Sequence, residues 1–254
     1  MKKYAISFLT MVALCIFAGN AVSALENSPL VAGIEYASKD IDSQGFAGPE
    51  NAGVFRPFMV GRLPLIRKEL NLGARLDGVV SGNPDFPDHT WRETSGAVFL
   101  EGEQFKKLSW EVGWTEFYYS IWSTRQSEGF AGARWLGMFV NPGIFLFRSV
   151  GANYQATTVE VSGFHAWALD YRKTMNIYVG DKITSVFDTE YSGGHNNLAW
   201  VGYEFSPPSR QLFGQSMTFF VEGLYSAPLG EATSDRIVQD EFIIKTGITW
   251  RPKF

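Results

Sequence analysis

The chain has 254 residues, 22 Lys and Arg against 26 Asp and Glu, and a formal net charge of −4. That balance, with no basic tract, disfavours a nucleic-acid-binding surface. One cysteine, Cys15, excludes an intramolecular disulfide framework.

Taken in chain order, the first residues read as a secretory leader. Lys2 and Lys3 form a basic start, Ile6 to Phe17 an apolar stretch, and Val22-Ser23-Ala24 a small-residue cleavage site. The run is short for a membrane span and is broken by Ser7 and Thr10. Leu14 precedes Cys15 where a lipoprotein needs a small residue, so Cys15 is not read as a lipidation site. The expectation is a signal peptide over 1–24 and one domain over 25–254. Without Lys2 and Lys3 the mature chain carries about −6. It would enter an oxidising compartment without any cysteine.

Short alternating segments follow. Leu30, Ala32, Ile34 and Tyr36 alternate with Val31, Gly33 and Glu35. A polar, Gly-rich link spans 39–53. Val54 to Leu63 puts Phe55 and Met59 on one face, Arg56 and Arg62 on the other. Leu63 to Lys68 reads as a link. Leu70, Leu72, Ala74 and Leu76 then alternate with Asn71, Gly73, Arg75 and Asp77. A loop at 81–93 holds Asp85, Asp88 and Glu93. Ser95 to Phe105 and the segment around Trp110, Val112 and Trp114 flank a tight turn at Lys106-Lys107. The stretch 123–129 reads as a polar loop, and Ala131 to Val140 as a strand before the Asn141-Pro142-Gly143 turn. Ile144 to Val150 and Thr157 to Leu169 follow, then a turn at 170–173. Met175, Ile177 and Val179 alternate with Asn176, Tyr178 and Gly180. A loop at 188–197 precedes Ala199, Val201, Tyr203 and Phe205, which alternate with Trp200, Gly202 and Glu204. After a turn at 206–210, Met217, Phe219 and Val221 alternate with Thr218, Phe220 and Glu222. A loop at 227–236 leads to the last strand, with Phe242, Ile244, Thr246, Ile248 and Trp250 on one face.

That amounts to about twelve strands, an even number. Odd-numbered links tend to be long and acidic or glycine-rich, and even-numbered ones tight. The mature chain has no long apolar run, yet 8 Trp, 21 Phe, 10 Tyr and 26 Gly are spread along the sequence. The fold class expected is all-β, an antiparallel up-and-down transmembrane β-barrel. A soluble periplasmic β-sandwich or lipid-binding barrel is the alternative.

The last strand resembles the terminal strand of bacterial outer-membrane β-barrel proteins, with Trp250 and Phe254 as its aromatic signal and Pro252 as a departure. The resemblance implies recognition by the outer-membrane assembly machinery, contact with outer-membrane lipid, and residence in the outer membrane of a Gram-negative cell.

No nucleophile elbow, phosphate loop, zinc-helix motif or cofactor motif is present. His89, His165 and His195 lack the His-x-Ser spacing of outer-membrane lipid hydrolases, and no enzyme is expected. His165 reads as a girdle or loop-edge residue. Asp85 and Asp88, or Asp188 and Glu190, offer carboxylates for calcium but read better as solvated loop charge. The remaining constellation is charge on the non-apolar faces. Arg56, Arg75, Asp77, Glu111, Glu160, Glu204, Glu222 and Lys245 should face a lumen, because charge facing lipid is costly. Trp200, Tyr178 and Phe220 should share that interior. The functional expectation is a porin-like channel for small solutes; the alternative is a closed structural or surface-interaction barrel.

Overall fold

In the computed structural model, the described residues are 30–39, 53–66, 70–81, 91–105, 107–119, 123–150, 155–187, 192–207, 216–229 and 241–251. They form twelve strands: β1 Leu30–Ala37, β2 Val54–Ile66, β3 Leu70–Ser81, β4 Trp91–Gln104, β5 Leu108–Tyr119, β6 Thr124–Trp135, β7 Gly143–Val150, β8 Thr157–Ala168, β9 Met175–Phe187, β10 Ser192–Phe205, β11 Ser216–Pro228 and β12 Glu241–Arg251. Each pairs antiparallel with its sequence neighbours. β1 also pairs with β12, Ala32 opposite Trp250 and Ala37 opposite Lys245, so the sheet closes into a barrel without an edge.

The period-2 pattern explains the closure. Side chains alternate between two environments along a strand. Here one environment is apolar and exposed on every side of the barrel. Ile34, Phe55, Leu72, Val98, Val112, Ile144, Val161, Val179, Val201, Val221 and Ile244 all point outward, with Val201 and Ile144 each 56% exposed. A continuous apolar belt of this extent is unsuited to water and suited to lipid. Aromatic residues frame it. Trp135, Trp167, Phe205 and Trp250 sit at or next to strand ends near the short turns. Tyr36, Trp91, Tyr118, Phe187 and Phe242 occupy the opposite rim. Two such girdles mark the two interfaces of a bilayer.

Strand number and face assignment agree with the sequence reading; several boundaries do not. β2 continues to Ile66, so Leu63 to Ile66 is strand, with Leu63, Leu65 and Ile66 exposed. β6 starts at Thr124, and the polar stretch 124–129 is paired with β5. That strand ends at Trp135, short of Val140. β10 begins at Ser192, with a register shift between Gly194 and Asn196. β4 begins at Trp91. Over 124–129 and 192–197, near the rim, both faces are polar or glycine, so alternation is lost in sequence although the ladder continues; over Leu63–Ile66 a non-polar run hides it instead. The proposed leader 1–24, His89, the acids Asp85, Asp88, Asp188 and Glu190, and Phe254 lie outside the described residues.

Candidate functional site: the barrel interior

The register places all eight charged residues named from sequence on inward faces: Arg56, Arg75, Asp77, Glu111, Glu160, Glu204, Glu222 and Lys245. It brings them together in three groups.

The first group lines β1 to β6. Arg75 Nε donates to Asp77 Oδ2 at 2.5 Å, two residues along the same strand. Arg56 Nη1 lies 3.9 Å from Glu35 Oε1 across the β1–β2 ladder. Arg62 Nε donates to Glu101 Oε1 at 2.6 Å, and Asn71 Nδ2 donates to the same oxygen at 3.2 Å. Glu101 stands directly opposite Glu111 in the β4–β5 pairing. Two facing carboxylates repel. The guanidinium groups of Arg75, Arg62 and Arg134 surround Glu111 and offset that repulsion.

The second group is Lys182 on β9, whose Nζ donates to Glu160 Oε1 on β8 at 2.9 Å. The third spans β9 to β12. Glu222 faces Lys245 across the ladder with 4.0 Å between charged atoms. The Tyr178 hydroxyl donates to Glu222 from two strands away. Asn176 Nδ2 donates to Glu204 Oε1 at 2.7 Å. At the rim of this wall Lys39 pairs with Glu241.

Between the charged groups the inner wall is aromatic. Trp200 lies over Gly180 and Tyr178 over Gly202; Phe220 lies over Gly247 and Phe99 over Gly73. In each pair a Cβ on the glycine would collide with the ring. Glycine on a neighbouring strand is what allows a bulky ring to lie flat on the wall. Tyr178 and Trp200 join Phe164, Leu198, Leu224 and Ile243 in a buried apolar cluster inside the barrel.

Sequence reasoning did not name Glu35, Arg62, Glu101, Glu128, Arg134 and Lys182 among the lumen candidates. Glu35, Arg62, Glu101, Arg134 and Lys182 were accessible to the same parity rule. Glu128 lay in a stretch read as loop. His165 is outward, stacked on Phe139 with ring centroids 4.3 Å apart and edge-on to Trp167 at 4.4 Å. Its Nδ1 also bonds the Phe139 carbonyl. It is thus a belt residue, as its sequence context implied. Trp250, expected from sequence to belong to an assembly signal, faces outward in the girdle.

A closed antiparallel barrel with an apolar outside, aromatic rims and a charged inside is the architecture of a bacterial outer-membrane barrel. Structural comparison gives the same fold. The chain is similar to the NanC porin, at a TM-score of 0.50 and 10% identity over 89% of this chain and 100% of that one. It is similar to the KdgM porin in complex with disordered oligogalacturonate, at 0.52 and 9% over 88% and 99%. A bacterial polysaccharide outer membrane secretin matches at 0.50 and 8% over 89% and 99%. At these identities the likeness is one of fold. No family model matches the sequence. No curated protein matches it either.

Proposed function

We propose that the chain is an outer-membrane, porin-like channel for small solutes, a conduit rather than an enzyme. The observation that carries this reading is the sorting of charge. Eight ionisable residues picked by parity alone face one interior, and they mix carboxylates with cations along its wall. In a narrow, low-dielectric passage such groups act strongly on a passing ion.

The sign of the wall argues for the solute class. Arg56, Arg62, Arg75, Lys182 and Lys245 each have a carboxylate within 4.0 Å. Glu111 faces a second carboxylate, and Glu204 is held by an amide. A ladder of uncompensated cations, the lining a polyanion such as oligogalacturonate would require, does not fit these residues. Neutral or cationic small solutes do, with the half-buried ring of Phe220 as a stacking surface, while Tyr178 and Trp200 fill the wall behind it.

A second reading rests on one specific observation. Tyr178, Leu224, Ile243, Val54 and Val186 point inward and are almost fully buried. An interior filled at that level would make a closed, structural barrel. Planar-bilayer recording on the purified, refolded protein separates the two. Discrete conductance steps are expected for the channel. A folded, heat-modifiable protein that gives no steps at any voltage would leave the closed barrel.

A further inference from the structure

Asp181 is the central residue of β9, yet it points outward. Its outward neighbours along the strand are Val179 and Ile183, both exposed in the lipid belt. Across the ladder it faces Gly163 on β8 and Ala199 on β10. Asn197, also outward, donates from Nδ2 to Asp181 Oδ1 at 2.9 Å. A carboxylate and an amide thus stand at mid-strand on a wall otherwise built for hydrocarbon, where charge is disfavoured.

A second irregularity meets it on the same wall. β7 begins only at Gly143, opposite Ser162, whereas β8 runs on to Ala168. The gap is filled by the 136–142 turn. Val140 O accepts from Phe164 N at 2.5 Å and Trp135 N donates to Pro142 O at 2.8 Å. Met138, Phe139 and Val140 are exposed there, Phe139 at 70%. Non-ladder backbone at membrane depth is tolerated where protein, not lipid, covers it. Gly163 sits between the two features, with Val140 packed beside it and Asp181 opposite.

We infer that this wall, β8 to β10 with the 136–142 turn, is covered in the membrane by the same wall of a second copy of the chain, with Asp181 of each copy meeting Asn197 of the other. The patch is self-complementary, which a two-fold contact requires. Asp181 keeps a second carboxylate oxygen as acceptor, and Asn197 keeps a second amide hydrogen as donor. A two-fold axis passing between them sets acceptor against donor and keeps the carboxylates apart. Small side chains at Gly163 and Ala199 let the walls approach. The inference requires a barrel lying in lipid and is independent of whether the interior conducts.

Full-length protein extracted in mild detergent tests it. The mature chain has no thiol if the leader is removed, so Val201→Cys on this wall and Val112→Cys on the opposite wall report proximity. A thiol cross-linker applied to intact membranes should join V201C into a dimer of twice the chain mass and leave V112C monomeric. Light scattering should give the protein a dimer mass that Asp181→Leu halves, while heat-modifiable migration shows the variant barrel folded. Equal cross-linking of both cysteines, adducts to a different protein, a monomer mass for the wild type, or a D181L protein that remains dimeric would each overturn it. The cysteine pair leaves Asp181 untouched, so it decides the matter even if D181L fails to fold.

Discussion

The Tyr178 hydroxyl reaches Glu222 two strands away because Gly202, which lies between them in the ladder, has no side chain. Tyr178 on β9 pairs with Gly202, and Gly202 pairs with Glu222 on β11. A single glycine therefore links an aromatic of the inner wall to an acid of the ion-pair set. A Cβ at position 202 would meet the Tyr178 ring atoms. Gly202→Val is expected to destabilise the barrel by about 1–3 kcal/mol, the usual cost of overpacking. It should also release Tyr178 from Glu222. Gly129→Ala is the control, since a Cβ there makes ordinary contact with Trp114 at 3.4 Å. Urea unfolding in detergent, followed by heat-modifiable migration, measures both; equal midpoints would refute the packing role of Gly202.

Arg62 and Glu101 pair across the interior, 2.6 Å apart with side chains 10% and 14% exposed. Removing one partner leaves the other charge in a poorly solvated wall, and Glu101 already faces Glu111. Arg62→Leu should therefore cost up to about 3 kcal/mol, the lower end for breaking a buried pair, because the interior is partly accessible. The double variant Arg62→Leu, Glu101→Leu should recover much of that loss. A double-mutant cycle on unfolding midpoints checks the sign; a double variant worse than the sum of the singles would contradict it.

Much of this was legible in the sequence because a lipid-facing wall imposes an unforgiving rule. Where one face is apolar, parity alone sends Arg75 and Asp77 inward and Leu72 and Leu76 outward. The rule fails where its physical premise fails. The stretch 124–129 lies near the rim, where Arg125 and Ser127 face outward beside polar Glu116, so no apolar face marks the strand. Leu63, Leu65 and Ile66 flank Pro64, and four non-polar residues in a row hide a period of two. Ser192 to Asn197 contains two glycines and a register shift, which moves the pattern by one residue. Asp181 was invisible for the opposite reason: it breaks the rule inside a clear strand, and a parity reading has no place for an outward acid. The Tyr178–Gly202–Glu222 link was likewise beyond it, because parity gives a face and not a neighbour.

Asp170 organises the turn between β8 and β9. Its Oδ1 accepts from Met175 N at 2.8 Å, and its Oδ2 from the Thr174 hydroxyl at 2.9 Å and Arg172 N at 3.2 Å. Desolvation at the turn pushes its carboxyl up, but these hydrogen bonds outweigh it and hold the carboxyl below the ordinary aspartate range. A carboxyl depressed in the folded state contributes stability above its unfolded pKa. That contribution is lost as pH falls through the folded value. The turn should accordingly be intact at neutral pH and loosen in acid, below about pH 4. Hydrogen exchange at the Met175 amide should be slow at pH 7 and faster, relative to the Val179 amide, at pH 3. Asp170→Ala should remove this pH dependence. Unchanged protection ratios across that range would refute it.

Glu111 and Glu222 offer the sharpest test of what the interior does. Both face inward, on β5 and β11. Each has cationic neighbours, Arg75, Arg62 and Arg134 for Glu111 and Lys245 for Glu222. Replacing both by Gln keeps shape and hydrogen-bonding capacity and removes two negative charges. If ions pass this wall, the cations then act with less opposition, and permeability should shift toward anions. The reversal potential under a salt gradient should move in the anion-selective direction, with single-channel conductance retained. A closed barrel predicts the contrary pair of results. No current would flow in either protein, and the variant would unfold at lower urea because its cations have lost their partners. Conductance with an unchanged or more cation-selective reversal potential would sink the role assigned to these two acids while leaving the channel standing.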